Sequence, residues 1–443
     1  MSVTDNSGHD EATIPASDAV AHTPSIPAPA PIAPSERIEI VDVLRGFAIL
    51  GILVVNMYWF ANPLLLAFSE VEPWDGPVDR MVRWGIAFFC EGKFYTLFSL
   101  LFGFGMYMQM MRAQARGAPF VPRFARRLCI LLLIGLAHVA LLWPGDILIA
   151  YALVGFALLL FRNCSPRTLL IWSALALVSL TVVAAALTCF VLLARAAGLV
   201  GLSPGTGAAA PVDAETSGIL FRWAMDAYKV YGEGSVAQIL RQRLFDYMIT
   251  FFAAIIFSFP MFLGLFLLGV YTGRRGLLEN LASQTGFFRR LLVWGLVFGV
   301  PASAYGVVAA ELVGFDDLTW PFVAWVFTGT VGPLGMTCAY AAGLVLLFQR
   351  ESGRRFLQPL ASVGRMALTN YLLQSLICTS LCYNYGLGLY GDISPAAGVA
   401  LTFAIFAVQI VLSNWWLRWY RFGPVEWLWR SLTYGRRQPM RIR

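Results

Sequence analysis

IVDVLRGFAILGILVVNMY, residues Ile40–Tyr58, is apolar enough to lie across a bilayer, yet it carries Asp42 and Arg45 near one end and Asn56 near the other. A membrane-spanning helix needs ~20 mostly apolar residues. Ionisable side chains in such a helix are costly and turn toward the bundle interior or a polar cavity. Asp42 and Arg45 are three residues apart, and Asn56 follows Arg45 by eleven. In a helix all three project toward roughly one face, with Arg45 and Asn56 ~16 Å apart along the axis. Two readings follow. That face lines a polar path through a bundle, or Asp42 and Arg45 simply pair near the interface while Arg45 reaches the headgroups.

The remaining sequence sets the class. Of 443 residues, 58% are hydrophobic and only 13% charged, with a mean hydropathy of +0.69. Soluble domains carry about twice that share of charge, so the expected fold is all-α, a polytopic transmembrane helical bundle. About ten spans are legible. Five are Ile40–Phe60, Phe94–Met111, Leu128–Trp143, the short Ile147–Phe161 and Leu169–Leu193. The others are Tyr247–Val270, Leu291–Leu312, Pro321–Phe348, Met366–Leu387 and Ala396–Trp416.

Loop charge alternates. Arg112, Arg116, Arg123, Arg126 and Arg127 follow the second span, Arg162 and Arg167 the fourth, Arg274, Arg275, Arg289 and Arg290 the sixth, and Arg350, Arg354 and Arg355 the eighth. The intervening loops hold Glu70, Glu72, Asp75, Asp79, Glu311, Asp316 and Asp317. Arginine excess marks the cytoplasmic side, which places both termini in the cytoplasm of an inner-membrane protein. The chain then divides into a disordered Pro/Ala-rich tail (1–35), a five-span half (36–195), an extracytoplasmic loop with an amphipathic stretch (196–243), a second five-span half (244–418) and a Trp/Arg-rich interfacial tail (419–443). The first segment lacks the basic start and apolar centre of a signal peptide. The last has the composition of a helix lying at the cytoplasmic interface.

The net charge of +7 sits in these short loop clusters and forms no continuous face for phosphates, so no nucleic-acid partner is expected. The seven cysteines form no CxxC pair, and no metal or disulfide framework is expected. Phosphate-loop, HExxH and GxSxG signatures are absent from the sequence.

The chemistry concentrates in a few polar residues. His9 and His22 lie in the tail, which leaves His138, in GLAHVALLWPGDILIAYAL, as the one histidine within the apolar body. The turn at Pro144–Gly145 folds this segment back, so that His138, Asp146 and Tyr151 can approach one another. A histidine oriented by a carboxylate is the arrangement of a general base. The alternative is a core histidine bonded to a backbone carbonyl, with Asp146 only a helix cap. EGKFYTLFSLLFGFG places Lys93 at the outer entry of the second span, as part of a polar centre or as a side chain snorkelling to headgroups, ahead of Gly103 and Gly105, which allow close packing. VGRMALTNYLLQS offers Arg365, Asn370 and Gln374, either as substrate contacts or as hydrogen-bonding glue between helices.

VDVLRGFAILGILVVN, EGKFYTLFSLLFGFG, RRLCILLLIGLAHVALLWPGDILIAYALVG and GRMALTNYLLQS together resemble the YeiB-like bacterial membrane proteins, whose C-terminal half is called domain of unknown function 418. The first of these motifs also resembles the transmembrane acyltransferase superfamily. That resemblance implies transfer of an acyl group from cytoplasmic acyl-CoA, as co-substrate rather than bound cofactor, to an acceptor across the membrane. The sequence departs from that pattern at two places: Asn56 stands where the polysaccharide O-acyltransferases of that superfamily carry histidine, and the segment around Trp74–Gly76 lacks the catalytic histidine of another member, heparan-alpha-glucosaminide acetyltransferase.

The leading expectation is therefore a membrane acyltransferase acting on a glycan, lipid or small-molecule hydroxyl or amine. His138 and Asp146 would be its catalytic pair, and Asp42, Arg45, Asn56, Lys93, Tyr151, Arg365, Asn370 and Gln374 would contact donor or acceptor. The second expectation is a transporter of a small metabolite or lipid, built from two inverted five-span halves. A third is a non-catalytic membrane partner. The sequence does not specify an oligomeric state.

Overall fold

Glu39–Ala61 forms α1, the helix around which the others are arranged: 67% of its most apolar window is buried inside the protein, against 11% for the helix Pro166–Ala196. The structure, a computed structural model, describes residues 38–68, 73–197, 214–313 and 318–442. The N-terminal tail, Glu70, Glu72, Asp316, Asp317 and residues 198–213 of the long loop lie outside the described residues.

The chain continues through α2 (Pro77–Phe89), α3 (Lys93–Ala115), α4 (Val121–Leu141), α5 (Leu148–Leu158), α6 (Pro166–Ala196) and α7 (Ala214–Glu233). It then forms α8 (Val236–Arg274), α9 (Thr285–Leu312), α10 (Trp320–Phe348), α11 (Glu351–Arg365), α12 (Ala367–Cys382), α13 (Pro395–Trp419) and α14 (Pro424–Tyr434). The fold is all-α. Local chemistry sets the ends: Ser165 and Ser394 cap α6 and α13 ahead of a proline, and Ser235 with Gln238 closes a capping box at α8. Such side chains satisfy amide donors that have no partner within the helix.

Among the described residues seven helical segments are long and apolar enough to cross a membrane: α1, α2 with α3, α4, α6, α9 with the turn before it, α10 and α13. The other three expected spans fall on helices of different form. The fourth corresponds to the short apolar segment Leu148–Phe161. The sixth lies within α8, a continuous helix of 39 residues, so the amphipathic stretch before it divides into α7 and the first turns of α8. The ninth ends at Cys382 as α12, only 16 residues long, after a break at Met366 that separates it from the amphipathic α11.

Two close crossings hold the centre. A methyl group on Gly46 or Gly364 would strike a backbone carbonyl of the opposing helix, so these residues let α1 and α11 touch backbone to backbone. Gly103 plays the same part between α3 and α8, where an added Cβ would meet the Phe266 carbonyl. Apolar side chains on α6 and α9, among them Leu170, Trp172, Phe190, Trp294 and Phe298, point outward. With apolar groups on both the inner and outer faces, such helices contact the lipid bilayer.

Candidate functional site

Arginines that the sequence spreads over five segments converge on one cavity. Arg45 comes from α1, Arg112 and Arg116 from the end of α3 and just beyond, Arg123 and Arg127 from the first turns of α4, Arg365 from the end of α11, and Arg430 from α14. The same wall holds two carboxylates, Asp42 and Glu426. Seven guanidinium groups against two acids give the cavity a strongly positive end. Its volume is about 290 Å³, near the lower end of small-molecule sites. Arg45 lies 3.4 Å from Asp42, and Gly105 on α3 leaves room for its guanidinium.

Beyond the arginines the lining becomes apolar and aromatic, with Ile49, Ile52, Phe98, Phe102 and Leu131, and it ends against Ile147, Leu148, Tyr151 and Tyr371. The cavity therefore has a charged end and a greasy interior.

The tail helix α14, expected from the sequence to lie at the interface, contributes to this wall. Glu426 accepts bonds from the backbone of Leu368 (2.7 Å) and Thr369 (3.0 Å) and from the Thr369 hydroxyl (2.5 Å), which ties α14 to the first turn of α12. A carboxylate is favoured at that helix N-terminus. Burial holds the Glu426 carboxyl above the ordinary glutamate range, and the bonds from Thr369 and Leu368 pull in the opposite direction. The Trp429 indole donates to the Arg127 carbonyl (2.9 Å), and the Arg127 guanidinium stacks over the same ring at 3.5 Å.

Behind the inner wall lies the acid–base pair. His138 Nδ1 is 2.8 Å from Asp146 Oδ2, and both side chains are completely buried. The other carboxylate oxygen of Asp146 accepts the Ile149 amide at 2.8 Å, so one aspartate caps α5 and holds the imidazole. With both oxygens accepting, an ionised Asp146 keeps the imidazole proton on Nδ1 and leaves the Nε2 lone pair facing away from it. Nε2 meets Ser375 Oγ on α12 at 2.8 Å. Eleven residues of α4, ~16 Å of helix, separate His138 from Arg127.

The expected site residues divide in space. Asp42, Arg45, Tyr151 and Arg365 line the cavity, and His138 and Asp146 stand behind its inner wall. Tyr151 does not join that pair. Its hydroxyl lies 2.6 Å from Ser99 Oγ and donates to the Tyr95 carbonyl at 3.2 Å. Lys93 is buried and donates to the Ala87 carbonyl (2.7 Å), folding back on the α2–α3 turn. Asn370 reaches Ser413 (3.0 Å), and Gln374 reaches Gln409 (2.8 Å), which stitches α12 to α13. Asn56 is half-buried on α1 and does not line the cavity. Ser375, Tyr371, Trp429 and the loop arginines were not singled out from the sequence. Serine and tyrosine in an apolar helix carry no local signal, and the arginines read there only as topology markers.

No cluster of three or more His, Cys, Asp or Glu suited to a metal ion occurs among the described residues. Helices of this length and apolarity around a polar interior define a multi-pass membrane protein. The chain belongs to the DUF418 family: residues 272–436 match the family described as "Protein of unknown function (DUF418)". It is 40% identical over 431 residues to the uncharacterized protein YxaH of Bacillus subtilis, covering 93% of this chain and 97% of that one. It is 31% identical over 414 residues to the uncharacterized protein YeiB of Escherichia coli, covering 90% and 96%. The expected resemblance to YeiB-like proteins therefore holds over nearly the whole length. No solved structure matches.

Proposed function

We propose that the protein is a membrane acyltransferase whose donor enters the arginine-lined cavity from the cytoplasm and whose acceptor is an extracytoplasmic hydroxyl or amine. On this orientation both termini and the arginine-rich end face the cytoplasm of the inner membrane. One observation carries the reading: a cavity with seven arginines at one end closes, at the other, against Ile147 and Tyr371, which adjoin the His138–Asp146 pair. An acyl thioester of the coenzyme A type has the matching form, with phosphates at one end and a reactive carbonyl at the end of a long arm. The guanidinium fork of Arg45 binds phosphate oxygens in pairs, which a lysine cannot do. His138 takes the proton of the attacking group through Nε2, and Asp146 fixes its tautomer and orientation.

The test begins with a strain lacking the gene, whose lipids and glycans are compared with the parent's by mass spectrometry. A missing acylated species that returns with the wild-type gene, and not with Arg45→Lys at equal protein level, is the expected result. Loss of uptake or export of a small metabolite with no change in any acylated species would instead favour transport.

A further inference from the structure

We infer that Ser375 is a nucleophile that receives the acyl group before the acceptor does, so that Asp146, His138 and Ser375 act as one relay. This rests on the acyltransferase reading and adds a covalent intermediate to it. The geometry is a continuous chain: Asp146 Oδ2 to His138 Nδ1 at 2.8 Å, then His138 Nε2 to Ser375 Oγ at 2.8 Å. A hydroxyl bonded to the basic nitrogen of an imidazole, itself oriented by a carboxylate, is the arrangement that activates serine.

The neighbouring helix turns show that this bond is not an ordinary packing contact. Hydroxyls inside a helix commonly bond the carbonyl four residues earlier. Thr379, one turn further along α12, does so to the Ser375 carbonyl at 2.8 Å. Ser375 leaves the equivalent bond, to the Tyr371 carbonyl, stretched to 3.4 Å and directs its short contact to the imidazole. Access is controlled by Tyr371, one turn before Ser375. Its ring lines the cavity and lies 5.1 Å from the His138 ring, with its hydroxyl bonded to the backbone of Ile147 and in a longer 3.4 Å contact with the Gly145 carbonyl. A rotation of that ring opens the cavity to Ser375.

The chemistry balances with an acyl thioester as the only co-reactant. Ser375 Oγ attacks the carbonyl carbon, its proton passes to His138 Nε2, the new C–O bond forms and the C–S bond breaks. The imidazolium returns the proton to the departing thiolate, which leaves as a thiol. The acceptor hydroxyl or amine then attacks the Ser375 ester, gives its proton to Nε2, and Ser375 recovers it as the acyl group leaves.

The experiment uses the full chain purified in nanodiscs and mixed with acetyl-CoA or palmitoyl-CoA without acceptor. It is quenched in acid, digested and analysed by peptide mass spectrometry while thiol release is followed in parallel. The expected result is one burst of thiol per protein and an ester on Ser375. Ser375→Ala abolishes both, Ser375→Cys carries a hydroxylamine-labile thioester at the same position, and His138→Gln slows acylation about 10²–10⁴-fold. The cysteine variant guards against a misfolded alanine variant. If Ser375→Ala transfers acyl groups to the acceptor in cells at the wild-type rate, or the adduct lies elsewhere, the relay is overturned while the acyltransferase reading stands with His138 acting directly. If the wild-type protein releases no thiol and carries no adduct with either donor, the relay is overturned; the acyltransferase reading falls only if deleting the gene also leaves every acylated lipid and glycan of the cells unchanged.

Discussion

His138 is the residue on which the proposed chemistry depends. An imidazole can accept a proton and give it back, and its two nitrogens here have different partners: Nδ1 faces Asp146 and Nε2 faces Ser375. Glutamine at this position keeps similar size and hydrogen-bonding capacity but cannot carry a proton between the two partners. His138→Gln is therefore expected to insert and fold normally while losing about 10²–10⁴-fold in turnover. Asp146→Asn should lower turnover as well, because an amide can present N–H to the ring and reverse its tautomer. It should also weaken the cap on α5, whose Ile149 amide bonds the same carboxylate. Turnover measured beside thermal unfolding in detergent checks both variants. Full activity in His138→Gln would reduce the histidine to a packing element. Asp42, Arg45, His138 and Asp146 were legible in the sequence because charge in an apolar run is conspicuous. Ser375 was not, since its imidazole partner lies 237 residues away along the chain.

At the scale of elements, α12 is short, and its first turn is held from outside by Glu426 of α14. The buried carboxyl binds its proton more tightly in the folded protein than in the unfolded chain. The sign follows directly: this group's contribution to stability is full below the ordinary glutamate value and is lost as pH rises through the raised folded value. Glu426→Gln keeps an acceptor oxygen for the Leu368 and Thr369 amides and removes the titration. As pH rises above about 4 the wild-type melting temperature should fall more steeply than that of Glu426→Gln. Parallel profiles would show that burial does not perturb Glu426. The apolar periodicity announced the long helices, but α2 and α11 escaped notice because their polar faces interrupt the run. α11 matters most: Gly364 brings it against α1, and Arg365 at its end lines the same cavity as Arg45.

For the whole molecule, one of the arginine clusters that set the expected orientation, the one after the second span, also lines the cavity through Arg112, Arg116, Arg123 and Arg127, so in the proposed function topology and binding share these charges. Cysteines placed at Pro73 and Ser352, both exposed and on opposite sides in the proposed orientation, test it in a background without native cysteine. An impermeant thiol reagent should label the first in intact cells and the second only after lysis. The reverse pattern would turn the donor cavity outward and remove its access to a cytoplasmic thioester. What no local stretch discloses is that α14, after every long apolar helix, returns to wall the cavity with Trp429 and Arg430. During synthesis the ribosome must release all of those helices before this wall can form. The finished cavity is thus a late product of biogenesis: a chain interrupted after α13 lacks the part of the wall that Glu426, Trp429 and Arg430 supply.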